Sequence, residues 1–346
     1  MTRWKKYDII DTTKVKKSGK KGLKKMATLA EIIEMVKGMP EAYLEETLQK
    51  VKEIKEKAES EEKATEKECP KCGSSKIVCN GRKHKKQSYV CRECGRSFSQ
   101  TSKTAMQGSH SGATVWKQVI RDTVEGVAID KTAETLGLHH ETVFNMRHKI
   151  LYRLEESLKE EPVKMAGTCE ADETYVLESE KGRKFGENHR RKPRKHGAKA
   201  SKAGISGEYV CVCASVTGAG EQVAVAVNRA SPDGEEILGV FGDRVGGDTV
   251  VLCDGKQSYN ALADRCTVAA ASRINKVNGF HSFIKGRLDA MRGVATIFLN
   301  RYNALFSKAY AADISTVVDD IFRLMVSPDD RNKTIAFTQS ADLLSL

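Results

Sequence analysis

No apolar stretch in this chain approaches the ~20 residues needed to span a bilayer. The start, MTRWKKYDII, is basic and lacks the apolar run and cleavage site of a secretory signal. Together these exclude a spanning membrane protein and predict a soluble protein of the cytoplasm with no membrane partner. A disulfide framework is also missing. Ten cysteines in 346 residues are too few for a disulfide scaffold, and a reducing cytosol favours metal ligation and buried thiols instead. No internal repeat is visible. Acids are in deficit, 46 Asp and Glu against 58 Lys and Arg, for a net charge of +12. A clustered positive field of this kind attracts polyanions.

At 346 residues the chain has room for two to four domains. Residues 1–27 hold ten Lys or Arg against Asp8 and Asp11. Thr28 to Glu31 reads as a capping box, and Leu44, Leu48, Val51 and Ile54 continue an amphipathic helix that grades into a charged stretch. That arm is either a solvated spacer or a small DNA-end or dimer contact. Helices are predicted over 112–156. Apolar β-like runs follow at Glu208–Val216, Glu221–Asn228 and Thr249–Cys253, with a helix near Asp233–Val240, and helix returns from Lys276. Strands linked by crossover helices predict an α/β domain.

Cys69-Pro-Lys-Cys72 and Cys91-Arg-Glu-Cys94 are separated by 18 residues, within the spacing of a structural zinc site. Each CxxC turn supplies two thiolates to a tetrahedral Zn²⁺. Gly73 and Gly95 stand where each knuckle calls for positive φ. Cys79 reads as a strand-packing thiol. Between the knuckles, Asn80–Gln87 reads as a hairpin tip whose Arg82, Lys83, Lys85 and Lys86 either face solvent or contact phosphate, with phosphate favoured.

Lys131–Leu138 followed by His139–Lys149 has a helix, glycine turn, helix layout. Ala133 permits close approach, Gly137 turns the chain, and Leu136, Leu138 and Val143 pack inward. His140, Asn145, His148 and Lys149 are then the candidates for a DNA groove. The same layout also occurs in purely structural bundles.

Glu170-Ala-Asp172-Glu173-Thr-Tyr-Val176 reads as a strand carrying acids in a burial-prone run, which is costly unless they are paired or bind metal. Thr249-Val-Val-Leu-Cys-Asp254-Gly255 is a second strand ending in a carboxylate. Val277–Lys285 reads as a helix with positions 278, 281, 282 and 285 on one face.

The ordered series Asp172, Asp254, Asn278 and Lys285 resembles bacterial insertion-sequence transposases of the DDE superfamily. The group in question carries an N-terminal zinc ribbon, Asn or Glu as third residue of the acidic site, and Lys seven positions later. The match runs over roughly residues 67–310, and Arg292–Tyr302 resembles the family's continuation of the last helix. Two features depart from the pattern: Asp254 and Asn278 are only 24 positions apart, and Arg273 stands where relatives usually carry His.

The resemblance implies a ribonuclease-H-like mixed sheet and Mg²⁺-dependent DNA cleavage and strand transfer, with Mn²⁺ as a substitute. Asp172 would bridge two metals, Asp254 and Asn278 would each bind one, and Lys285 would touch phosphate. It further implies a homo-oligomer on double-stranded DNA in a bacterial cytoplasm, associated with the nucleoid. The expected regions are a tail and helical arm (1–66), a zinc ribbon (67–105), a helix-turn-helix region (106–160), a catalytic domain (165–312) and a helical tail (313–346). Lys181–Ala203, with ten Lys or Arg against Glu187 alone, is either a solvated loop or a target-DNA contact through Arg190, Arg191, Lys192, Arg194 and Lys195. Two other classes share these features: a catalytically inactive DNA-binding regulator derived from such an element, and a metal-dependent nuclease.

Overall fold

The computed structural model describes residues 68–83, 86–99, 101–181, 200–201, 204–291 and 293–327. The expected N-terminal tail and arm, Lys85, the five basic residues at 190–195 and most of the C-terminal tail lie outside the described residues, and the side chains of Lys83 and Lys86 are not described. The chain divides into two units, Met1–Lys67 and Glu68–Leu346.

Two sheets form. The small one is antiparallel, β1 (Ile77–Lys83), β2 (Lys86–Cys91) and β3 (Ser97–Ser99). Its register pairs Lys83 with Lys86, so the basic segment is indeed a hairpin tip. Tyr89 lies opposite Phe98 with ring centroids 5.7 Å apart, a cross-strand aromatic pair of the kind that stabilises a short sheet.

The larger sheet has five strands: β4 (Thr168–Leu177), β5 (Tyr209–Thr217), β6 (Gln222–Ala226), β7 (Val250–Cys253) and β8 (Thr267–Ala270), in the spatial order β6-β5-β4-β7-β8. The first three run antiparallel; β7 and β8 are parallel to β4. A meander followed by crossovers makes this a mixed α/β architecture, as the sequence predicts.

Among the described residues seven helices accompany the sheets: α1 (Ala113–Glu125), α2 (Ile129–Leu136), α3 (His140–Glu160), α4 (Gly234–Phe241), α5 (Asn275–Ala290), α6 (Leu299–Ala309) and α7 (Ile314–Val326). The start of α4 is set by a complete capping box between Asp233 and Glu236. Both faces of β5 are buried, which is why its sequence is an unbroken apolar run. Val210, Val212, Ala214 and Val216 face the layer of α5 and α6, while Cys211 and Cys213 face α4 and the 3₁₀ turn Gln257–Leu262.

On the first face one core runs without a break from Trp116 and Ile120 of α1, through Ile150 of α3 and Phe280 of α5, to Leu305 of α6 and Ile321 of α7. The segments expected as separate regions, 106–160, 165–312 and the start of 313–346, therefore share one apolar core. The short interval between Asp254 and Asn278 also has a physical explanation. The link from β7 to β8 is the six-residue 3₁₀ turn rather than a full α-helix, and β8 has only four residues.

Candidate functional site

The cysteine cluster is built by the two CxxC knuckles flanking β1 and β2. Cys69 Sγ lies 3.5 Å from Cys94 Sγ, and Cys72 Sγ lies 3.6 Å from Cys91 Sγ. All four sulfurs fall within 4.8 Å of one another, the compactness that one tetrahedral ion requires, so the cluster could hold Zn²⁺. Gly73 and Gly95 follow the knuckles at φ 71° and 69°, a conformation that L side chains resist. Burial pushes the Cys69 thiol up, but the backbone N–H groups of Lys71 and Cys72 and the neighbouring thiols outweigh it and bring it down to about 6. Those N–H groups aimed at sulfur are what a ligating thiolate needs. Cys79 stays outside the cluster and is exposed, so it is not the packed thiol expected of it.

The second candidate site lies on β4, at the centre of the large sheet. Three acids there, Glu170, Asp172 and Glu173, have three different surroundings. Glu170 Oε2 accepts from the backbone N–H of Lys276 (2.6 Å) and of Val277 (3.1 Å), the first turn of α5. Its charge sits at the positive end of that helix. Glu173 points to the opposite face, where its Oε2 receives Lys256 Nζ at 2.8 Å, the Glu173 side chain being 5% exposed. Asp172 has no cation in such contact.

The parallel pairing of β4 with β7 runs from Thr168 with Val250 to Glu170 with Leu252, so Asp172 and Asp254 each lie two residues beyond its last pair. Asp254 itself is exposed, one residue beyond the end of β7. Lys256 N–H donates to Asp254 Oδ1 at 3.2 Å, and Gly255 follows at φ 89°, so the chain turns sharply just past the carboxylate. Burial pushes the Asp172 carboxyl up to about 6. A backbone hydrogen bond from Glu173 opposes this, while the negative charges of Glu173 and Asp254 add to it. A half-buried carboxylate raised further by the charge of a second, exposed one is a setting suited to a hard divalent cation.

Helix α5 runs past this pair. His281 is buried, with its Nδ1 3.9 Å from Asp172 Oδ2. Burial, then the charge of Lys285, lowers its pKa to about 4 against a hydrogen bond donated by the ring to the Asp172 main-chain carbonyl, so the ring is neutral at pH 7. Asn278 and Lys285 are exposed, one turn before and one turn after His281, and so share its face of the helix. Among the described residues, the only set of three or more His, Cys, Asp or Glu close enough to share one ion is the cysteine cluster. The pair of acids with a neutral Asn is a different kind of set.

Sequence reasoning picked out Asp172, Asp254, Asn278 and Lys285 but assigned no part to Glu170, Glu173, Lys256 or His281. The same-face spacing of Glu170 with Asp172, and of His281 with Asn278, was the available signal. Nothing local announces Lys256 as the partner of Glu173, because the pairing is set across strands.

The helix, glycine turn, helix layout is present as α2, Gly137 and α3, with Ala133 and Val143 buried as expected. The proposed groove face needs correction. His148 is 2% exposed, its ring 4.3 Å from that of Phe144 and 4.4 Å from that of Phe298. It belongs to the core, because α3 buries a wide stripe against α6. Asn145 and Lys149 are half-buried, and His140 is exposed with its Nδ1 2.5 Å from Asp130 Oδ1. Arg82 is exposed on β1. Among the described residues no helix is long and apolar enough to cross a membrane.

No protein-family model and no curated protein matches the chain. Two solved structures overlap part of it. One is described as a crystal structure of a pre-cleavage Mos1 transpososome, with 9% identity, covering 58% of this chain and 74% of that one at a TM-score of 0.25. The other is described as the Mos1 transposase paired-end complex with left transposon end, with 12% identity, covering 57% and 75% at a TM-score of 0.20. Superpositions this loose carry no weight for fold or chemistry.

Proposed function

We propose that this chain is a DNA transposase that binds the ends of an insertion sequence and catalyses metal-dependent cleavage and strand transfer. The observation that carries the reading is the parallel pairing of β4 with β7, which leaves Asp172 two residues past Glu170 and Asp254 two residues past its partner Leu252, beside a helix bearing Asn278 and Lys285. The sheet order, a three-strand antiparallel meander extended by two parallel strands, agrees with a ribonuclease-H-like catalytic domain.

Mg²⁺, or Mn²⁺ in its place, fits this acid pair, whose mutual repulsion it would relieve, and would activate the attacking oxygen and stabilise the leaving one. Asp172 and Asp254 supply the hard anionic ligands, Asn278 a neutral amide oxygen, and Lys285 a charge for phosphate. No side chain has to act as nucleophile. Water first breaks a phosphodiester P–O bond, and the freed 3′-hydroxyl then attacks the target phosphodiester, forming one P–O bond as another breaks.

The regions 67–105 and 106–160 are assigned to DNA binding. The ribbon is assigned a structural Zn²⁺ and phosphate contacts through Arg82, Lys83, Lys85 and Lys86. The helix pair is left with His140, Asn145 and Lys149 as its contact residues. The basic segment with Arg190, Arg191, Lys192, Arg194 and Lys195 is assigned to target DNA, and the active form to a homo-oligomer on DNA in a bacterial cytoplasm.

The test is a cleavage and joining assay on DNA carrying the element's own ends. Wild type cuts and joins with Mg²⁺, Asp172→Ala binds but does not cut, Asn278→Asp retains activity and Asn278→Leu has none. Cutting by Asp172→Ala at the wild-type rate contradicts the site. Wild type that binds these ends yet stays inert with Mg²⁺ and Mn²⁺ is a DNA-binding regulator, and one that cuts without joining is a nuclease.

A further inference from the structure

Beyond its ligands, the acid pair depends on how α5 is held, because Asn278 and Lys285 ride on a helix while Asp172 rides on a strand. The structure joins the two elements at two points. At the first, one oxygen of Glu170 takes both N–H groups of Lys276 and Val277, at 2.6 and 3.1 Å. Those groups are among the four at a helix start that have no partner within the helix, and α5 has no side-chain cap of its own. The cap comes instead from the neighbouring strand, two residues before Asp172 and on the same face of it.

At the second point, His281 brings Nδ1 to within 3.9 Å of Asp172 Oδ2. Its other nitrogen, Nε2, is buried with no hydrogen-bond partner. A buried ring with one nitrogen unmatched carries an uncompensated desolvation cost, and the polar engagement it does have is with Asp172. The two points lie along α5 on either side of Asn278, one at residues 276–277 and the other at 281.

We propose that Glu170 and His281 are positioning residues that clamp α5 onto β4 and so fix the place of Asn278 and Lys285 relative to Asp172. The clamp rests on the assignment of Asp172 and Asp254 as metal ligands. Neither residue is used up by the metal: Glu170 is engaged by the helix, and His281 packs beside Asp172 with its Nδ1 3.9 Å from the carboxylate, a contact rather than a hydrogen bond.

The test uses full-length protein, with zinc content and thermal melting as controls for folding. Amide hydrogen exchange reads the clamp, and Mn²⁺ titration followed by electron paramagnetic resonance reads its purpose. In Glu170→Ala the amides of 275–278 exchange at least tenfold faster than in wild type. In both Glu170→Ala and His281→Ala, Mn²⁺ binds about tenfold more weakly. Glu170→Gln keeps an acceptor oxygen, and His281→Asn keeps a donor near the Nδ1 position, so each recovers most of the Mn²⁺ affinity. Unchanged exchange at 275–278 in Glu170→Ala overturns the clamp. Faster exchange with wild-type Mn²⁺ affinity reduces Glu170 to a helix cap and overturns its positioning role. Failure of the underlying site reads differently: Asp172→Ala then binds Mn²⁺ as wild type does, whatever the exchange shows.

Discussion

At the scale of single residues, the site is decided by which face of β4 each acid occupies and what lies opposite. Glu170 and Glu173 are both neutralised by partners, and Asp172 is the carboxylate left over. The buried pair Glu173 and Lys256 has consequences of its own. Removing the Lys256 charge strands the Glu173 carboxylate, whose side chain is 5% exposed, at a cost of about 3 kcal/mol, whereas removing both charges is far milder. Lys256→Met should therefore lower the stability measured by urea unfolding by about that amount, and Glu173→Gln with Lys256→Met should recover most of it. Equal losses in the single and double variants would show that the pair is not coupled.

His148 makes a second residue-scale prediction. Burial, then the charges of Arg301 and Arg147, lowers its pKa to about 4 from an ordinary 6.5. Its folded pKa lies below the unfolded one, so the unfolded chain binds the extra proton between those values and stability falls as pH falls. That contribution is fully present above about pH 6.5 and is lost progressively towards pH 4. From pH 7.5 to 5 the loss is about 2 kcal/mol, taking about 1.4 kcal/mol per pKa unit. His148→Phe should show a drop smaller by that amount in unfolding at the two pH values; identical profiles would place the acid sensitivity elsewhere. That Asp172 was visible in the sequence and the fate of His148 was not has one cause. A carboxylate in an apolar strand stands out, but His148 sits between Val143, Met146, Ile150 and Leu151 on an apolar arc that a groove-facing reading has to overlook.

At the scale of elements, β5, β6 and β7 were legible from their apolar runs and β4 despite its three acids, whereas the four-residue β8 was not read as a strand; α4 was legible near Asp233–Val240, and a capping box between Asp233 and Glu236 fixes its start. The 3₁₀ turn Gln257–Leu262 was not legible. Six residues are too few for a helical period to register, so the interval before Asn278 read as a departure from the family pattern rather than as a short crossover. The cysteine cluster was legible, Cys79 apart, since CxxC spacing, knuckle glycines and a hairpin tip are all local. It follows that the ribbon folds with its metal. Elemental analysis should find one zinc per chain in wild type and less than a tenth of that in Cys91→Ser, with β1–β3 amides losing protection. Full zinc stoichiometry in Cys91→Ser would contradict the ligand set.

At the scale of the whole molecule, the described residues of 106–160, 165–312 and 313–327 share one apolar core. Trp116, Ile150, Phe280, Leu305 and Ile321 belong to one cluster, because α5 and α6 cover one face of the sheet and α1, α3 and α7 pack on the helices and on one another. Sequence boundaries were drawn where local patterns change, and a shared core leaves no local mark. Charge does act at this scale without a fold. Each phosphate neutralised by Lys or Arg releases a condensed counterion, so affinity for DNA should fall steeply with salt. Neutralising Arg190, Arg191, Lys192, Arg194 and Lys195 should reduce the slope of log affinity against log salt by several units, read by fluorescence anisotropy. An unchanged slope would remove that segment from the interface.

The measurement closest to the central claim is a crystal of the protein soaked in Mn²⁺, with anomalous scattering recorded near the manganese edge. The account predicts a peak within ligand distance of both the Asp172 and Asp254 carboxylates, absent from an identically soaked Asp172→Ala crystal. Density elsewhere only, or a peak between β4 and β7 that survives loss of Asp172, would contradict it.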